Sequence, residues 1–71
     1  MDSKLVASCG GTLEAAEKLI NRYFSSNFWH VYNKDGEFGA YNTVKGRALS
    51  DFSMGLELQK GRFRLVKYGD Y

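Results

Sequence analysis

Between Phe52 and Leu65 the apolar residues take alternate positions: Phe52, Met54, Leu56 and Leu58, then Phe63 and Leu65 beyond Gln59-Lys60-Gly61-Arg62. A period of two marks a half-buried strand, because successive side chains point to opposite sides of a sheet. Closing the turn on Lys60-Gly61 sets Leu58 against Phe63 and Leu56 against Leu65. The same register sets Glu57 against Arg64 on the outer side, an opposite-charge cross-strand pair. The apolar pattern and the charge pattern thus specify one hairpin register. A one-residue slip would turn every apolar side chain outward.

A second hairpin precedes it. The run Phe28 to Asn33 is aromatic and β-prone, and Asp35-Gly36 interrupts it before Phe38. Asp-Gly between apolar runs is a hairpin signal, since these residues tolerate the positive φ that such turns require. The implied register pairs Lys34 with Glu37, Asn33 with Phe38, Val31 with Ala40 and Trp29 with Asn42. Trp29, Val31, Phe38 and Ala40 then share one face, and Phe28, His30, Tyr32 and Tyr41 share the other.

Upstream, Lys4 to Cys9 reads as a short strand with Leu5, Ala7 and Cys9 on one face. Gly10-Gly11 breaks it, and Thr12 supplies a helix N-cap. Apolar residues at 13, 16, 20, 23 and 24 lie near one helical face. Glu14 and Lys18 form an i,i+4 pair in the favourable orientation, and Ser25-Ser26-Asn27 ends the helix. Residues 43–51 fit no single element, with strand, loop and short helix all open and Lys45-Gly46-Arg47 read as a turn. The order is β-α-β-β-β-β. It predicts one α+β domain over residues 1–71, with one helix packed on one face of a mainly antiparallel sheet of four to five strands. The expected core is Leu13, Ala16, Ile20, Leu56, Leu58, Phe63 and Leu65.

Composition limits how that fold is held. A single cysteine, Cys9, excludes an intrachain disulfide and any zinc site of paired thiolates. Packing must therefore stabilise the chain, and 44% hydrophobic and 15% aromatic residues supply the material. A free thiol suits a reducing compartment, so the expected location is cytoplasmic. Val6-Ala7-Ser8-Cys9 has the outline of a lipoprotein cleavage box but no apolar segment before it, and no membrane association is expected.

Little in the sequence carries reaction chemistry. Cys9 before a helix start and the lone His30 would need to meet, with a third orienting group, to form a nucleophilic pair. Ser8-Cys9-Gly10-Gly11-Thr12 offers backbone N–H groups to an anion but lacks the lysine of a phosphate loop. Asp35-Gly36-Glu37 has too few ligands for calcium. No catalytic, cofactor or metal site is expected.

Two surfaces remain. One helix can bury one sheet face, which leaves Phe28, His30, Tyr32 and Tyr41 as the expected partner-binding residues. The second is basic. Residues 45–71 carry six Lys/Arg and three Asp/Glu, against four and five in residues 1–44. Lys45, Arg47, Arg62, Arg64, Lys67 and Tyr68 mix cations and a ring as single-stranded nucleic acid prefers. The glycine and aromatic pattern matches neither the sheet motif of RNA-recognition domains nor the element order of double-stranded RNA-binding domains. The leading expectation is a non-enzymatic protein-binding module, a small regulator or inhibitor that occludes a larger protein, in the style of phage and mobile-element accessory proteins that block host defence or transcription. The alternatives are nucleic-acid binding through the basic sheet, a homodimer through the aromatic face, and a small enzyme subunit.

Overall fold

The computed structural model describes residues 3–69. Strand β1 (Ser3–Gly10) leads to helix α1 (Leu13–Tyr23), then β2 (Trp29–Lys34), β3 (Glu37–Asn42), β4 (Arg47–Ala48), a single 3-10 turn (Leu49–Phe52), β5 (Met54–Gln59) and β6 (Arg62–Tyr68). The strands form two antiparallel three-stranded sheets, ordered β1-β6-β5 and β2-β3-β4. This is the expected α+β architecture, with the sheet divided in two. Strands β3 and β5 pack alongside each other at the division without forming a ladder.

Both hairpins take the registers derived from sequence: Val31 faces Ala40 and Trp29 faces Asn42 in the first, and Leu56 faces Leu65 and Glu57 faces Arg64 in the second. Each closes on two residues of positive φ, Asp35 (51°) and Gly36 (86°), or Lys60 (53°) and Gly61 (74°). Two such residues make a type I′ turn, whose twist matches that of the flanking strands.

The helix begins as its sequence directs. The Thr12 hydroxyl oxygen accepts from the Ala15 N–H at 3.1 Å, with Glu14 in the first turn and Arg22 in the last. It ends in a Schellman arrangement: Ser26 N–H donates to the Asn21 carbonyl and Ser25 N–H to the Arg22 carbonyl. Ser25 takes the left-handed φ of 52° that glycine usually supplies there.

The core lies between α1 and the inner faces of both sheets. Ala16 and Ile20 of the helix meet Trp29, Ala40, Leu49, Met54, Leu56, Phe63 and Leu65. Phe24 stacks on Trp29 at 4.6 Å, and Phe38 meets Phe63 edge-on at 4.9 Å, which joins the two sheets. Two residues expected in the core stand outside it. Leu13 and Leu58 are exposed because each sits at the end of its element, beside a turn and outside the clustered core.

Two further expectations are corrected. A bulge between Leu5 and Ala7 shifts the β1 register, so that Leu5 pairs with Val66 and Ala7 with Leu65. The extra residue re-aims the chain. Val6 takes a core-packed place with Ala7 and Cys9, and Leu5 is exposed. Phe52, expected in the strand with Met54, closes the 3-10 turn instead, because Ser53 turns left-handed (φ 56°) before β5 begins. Residues 43–51 resolve into a turn, the short β4 and the start of the 3-10 turn.

The helix also closes the outer edge of β2. The Asn21 side-chain oxygen accepts from the Trp29 N–H (2.9 Å), and its amide donates to the Trp29 carbonyl (3.2 Å). One side chain thus offers the pair of bonds that a neighbouring strand would offer. The Glu17 carboxylate accepts from the Val31 N–H, the next outward-facing donor. Removing the partner of part-buried backbone groups costs about 1–3 kcal/mol. Asn21→Ala should therefore lower the melting temperature by at least about 4–8 °C in a domain this size. A melting curve that superimposes on wild type would show that the bridge carries no stability.

Candidate functional site

Strand alternation sets the outer side of the molecule. On the β2–β3 hairpin it carries Tyr32 opposite Gly39 and His30 opposite Tyr41. Phe28 precedes β2. Phe28, Tyr32 and Tyr41 are 49%, 47% and 45% exposed, whereas Trp29 and Ala40 on the inner side are buried. His30 is exposed too, with its Nδ1 3.9 Å from the Glu17 carboxylate. His30, Tyr32 and Tyr41, three of the four residues expected as a contact face, are therefore gathered on one open side of one hairpin, with Phe28 exposed just before it.

That side continues onto the other sheet. By alternation Arg62, Arg64, Val66 and Tyr68 of β6 share that side, Val66 being buried there with the exposed Leu5 of β1 opposite it. Tyr32 and Tyr68 flank the line where β3 and β5 meet and line a shallow groove of about 500 Å³ there. Each ring lies over a glycine. A Cβ on Gly39 would stand 2.5 Å from the Tyr32 hydroxyl oxygen, and one on Gly55 would stand 2.5 Å from that of Tyr68. The rings cover backbone that has no side chain of its own, as aromatics do for glycines near sheet edges. Sequence reasoning did not find this pairing. The cue was in the register, which places Gly39 directly across from Tyr32.

The basic set is not brought together. Arg62 and Arg64 lie outward near the β5–β6 turn, Lys67 falls on the opposite side by alternation, and Lys45 and Arg47 border a different cleft. Arg64 faces Glu57 in the ladder and donates to the Gln59 side-chain oxygen. Tyr68 lies beside the Glu57 carboxylate. Burial, and then that carboxylate, push its pKa above the ordinary tyrosine value. An acid thus sits among the cations of the β6 stripe.

Cys9 and His30 are not brought together either. Cys9 pairs with Phe63 in one sheet and packs against the core, while His30 pairs with Tyr41 on the outer side of the other sheet. Burial raises the Cys9 pKa above its ordinary value, against the nearby Arg62 guanidinium, so the thiol form is favoured at neutral pH. The Gly10-Gly11 turn has a steric role: the Gly11 Cα packs on the Gly61 carbonyl, and a Cβ there would overlap it. Among the described residues no His, Cys, Asp or Glu cluster could hold a metal ion, and no helix is long and apolar enough to cross a membrane.

A second cleft, of about 390 Å³, opens where the end of α1 meets the β3–β4 turn. Phe24, Phe28, Trp29, Val44 and Phe52 line it, with Lys45 and Arg47 at its margin. Phe24 and Phe52 were read from sequence as helix face and strand; their meeting at 5.0 Å depends on the 3-10 turn. No protein-family model matches the chain, and neither does any curated protein or solved structure.

The ring-over-glycine arrangement has a direct readout. In nuclear magnetic resonance spectra the Gly39 Hα signals should be shifted upfield by the overlying Tyr32 ring. Tyr32→Ala should return them to ordinary strand positions, and Gly39→Ala should turn the ring outward. Unchanged Gly39 signals in Tyr32→Ala would mean that the ring does not lie there.

Proposed function

We propose that this chain is a non-enzymatic protein-binding module, a small cytoplasmic regulator or inhibitor that occludes a larger protein, and that Phe28, His30, Tyr32 and Tyr41 form its contact surface. One observation carries the reading: Tyr32 and Tyr41 stay about half exposed on one face of the hairpin, with Phe28 half exposed just before it, on the side opposite the buried Trp29 and Ala40. Exposed apolar groups gathered in this way mark interaction surfaces in small soluble domains. Tyrosine and other aromatics are enriched at such surfaces, where burial of the ring supplies energy and the hydroxyl finds a partner. The hairpin beneath is rigid, with a complete ladder and a type I′ turn, so little order is lost on docking. The accessory-protein role in phages or mobile elements is part of the same proposal and rests on size and surface alone.

Capture from extracts of the source cells, with nuclease added to one half, tests this reading. The chain should retain a protein that survives nuclease. Tyr41→Ala should weaken retention by about tenfold or more, the usual effect of truncating an aromatic anchor, and should leave the melting temperature nearly unchanged. Tyr41 is the cleaner probe, since Tyr32 also covers Gly39. Arg62→Ala and Arg64→Ala should matter less. Retention that disappears with nuclease and with the arginine variants would replace this reading by nucleic-acid binding. A concentration-dependent dimer broken by Tyr41→Ala would make the face a contact between copies of the chain.

A further inference from the structure

The cleft at the end of α1 combines an apolar floor with a one-signed margin. Two neighbouring depressions share Ser25, Ser26 and Asn27: the aromatic cleft, bordered by Lys45 and Arg47, and a polar one lined by Lys18 and Arg22. Among the described residues no acidic residue lines either of them. Lys18 pairs with Glu14, but among the described residues no carboxylate lies within salt-bridge distance of Arg22, Lys45 or Arg47. The groove along the β3–β5 line differs, since Glu37 and Glu57 line it beside Lys34.

The walls are fixed before anything binds. Asn42 is buried, and its side-chain oxygen accepts from both the Val44 N–H (3.0 Å) and the Lys45 N–H (2.9 Å). Gly46 N–H donates to the Asn42 carbonyl, and Thr43 N–H donates to the Phe28 carbonyl. On the opposite wall Ser26 Oγ accepts from the Phe28 N–H. The turn thereby holds Val44 out at 65% exposure, beside Phe28 and Phe52.

We infer that this cleft takes an acidic segment of the partner protein: one apolar or aromatic side chain seats against Phe28, Val44 and Phe52, and flanking carboxylates meet Lys45, Arg47 and Arg22. The inference rests on the protein-binding reading and adds a second contact next to the outer face, with Phe28 common to both. One feature favours a protein segment over nucleic acid. The Phe24 and Trp29 ring faces are already stacked on each other, so the cleft is a recess for a side chain and not a platform for bases.

The probe is the blocked peptide acetyl-Asp-Glu-Leu-Phe-Asp-Glu-amide, added to the isotope-labelled full chain and followed by amide shifts. Saturable shifts should appear at Val44, Lys45, Arg47 and Phe52. They should vanish when the acids are replaced by their amides or when Leu-Phe is replaced by Ser-Ser. Lys45→Glu with Arg47→Glu should weaken binding by about tenfold through the loss and reversal of two exposed ion pairs, at an unchanged melting temperature. Val44→Ser, at a position 65% exposed, provides a second variant. Absence of saturable shifts at the cleft overturns the inference. Shifts confined to His30, Tyr32 and Tyr41 overturn it while leaving the outer-face reading in place. Larger shifts at the cleft with oligothymidylate than with the peptide overturn both.

Discussion

An eleven-residue helix, with Leu49 of the 3-10 turn, is the cover available to two three-stranded sheets among the described residues, and the helix lies on one side of them. The rest of the arrangement follows from that shortage. Both sheets turn their apolar faces toward Ala16 and Ile20, and the Phe38–Phe63 contact links them across the division between β3 and β5. Small domains bury a modest share of their surface, and here the unburied share has a particular chemistry. The outer side of the β2–β3 hairpin carries rings where a purely solvated face would carry charge. That difference motivates a functional reading of it.

The fold guards its open backbone with side chains. Asn21 and Glu17 reach from α1 to the outer edge of β2, while Tyr32 and Tyr68 lie over glycines beside the line between the sheets. Exposed strand edges invite pairing with other chains, so shielding β2 directs association to side chains rather than to main chain. Tyr32 serves both ends, because the ring that covers Gly39 is also half exposed on the contact face. On the proposed reading, stability and recognition are coupled at that residue in a way that they are not at Tyr41 or Phe28.

Much of this was legible from the residues alone. The two hairpins were readable because turn chemistry and side-chain alternation act over a few residues and agree: Asp35-Gly36 and Lys60-Gly61 set registers that the ladders keep. The division of aromatics between two faces follows from those registers. Leu5 was misplaced because a bulge leaves no mark in the apolar pattern. Leu13 and Leu58 were misplaced because periodicity gives a side and not a depth, and both lie where an element runs past the core. The aromatic cleft was hidden for a different reason. Phe24, Val44 and Phe52 come from three elements, and the 3-10 turn that seats Phe52 sits in the one segment with no clear period. Asn42 followed by Gly46 was the available signal, a turn built on a side-chain oxygen.

The central claim is that the outer aromatic face is buried when the chain is at work. Hydroxyl-radical footprinting of the captured complex, compared with the free chain, measures this residue by residue. Tyr23 is a matched control, as exposed as Tyr41 but carried on the helix. The account predicts that Phe28, Tyr32 and Tyr41 are oxidised markedly more slowly in the complex, while Tyr23 keeps its rate. Equal oxidation of Tyr32 and Tyr41 in the free and bound chain would contradict it.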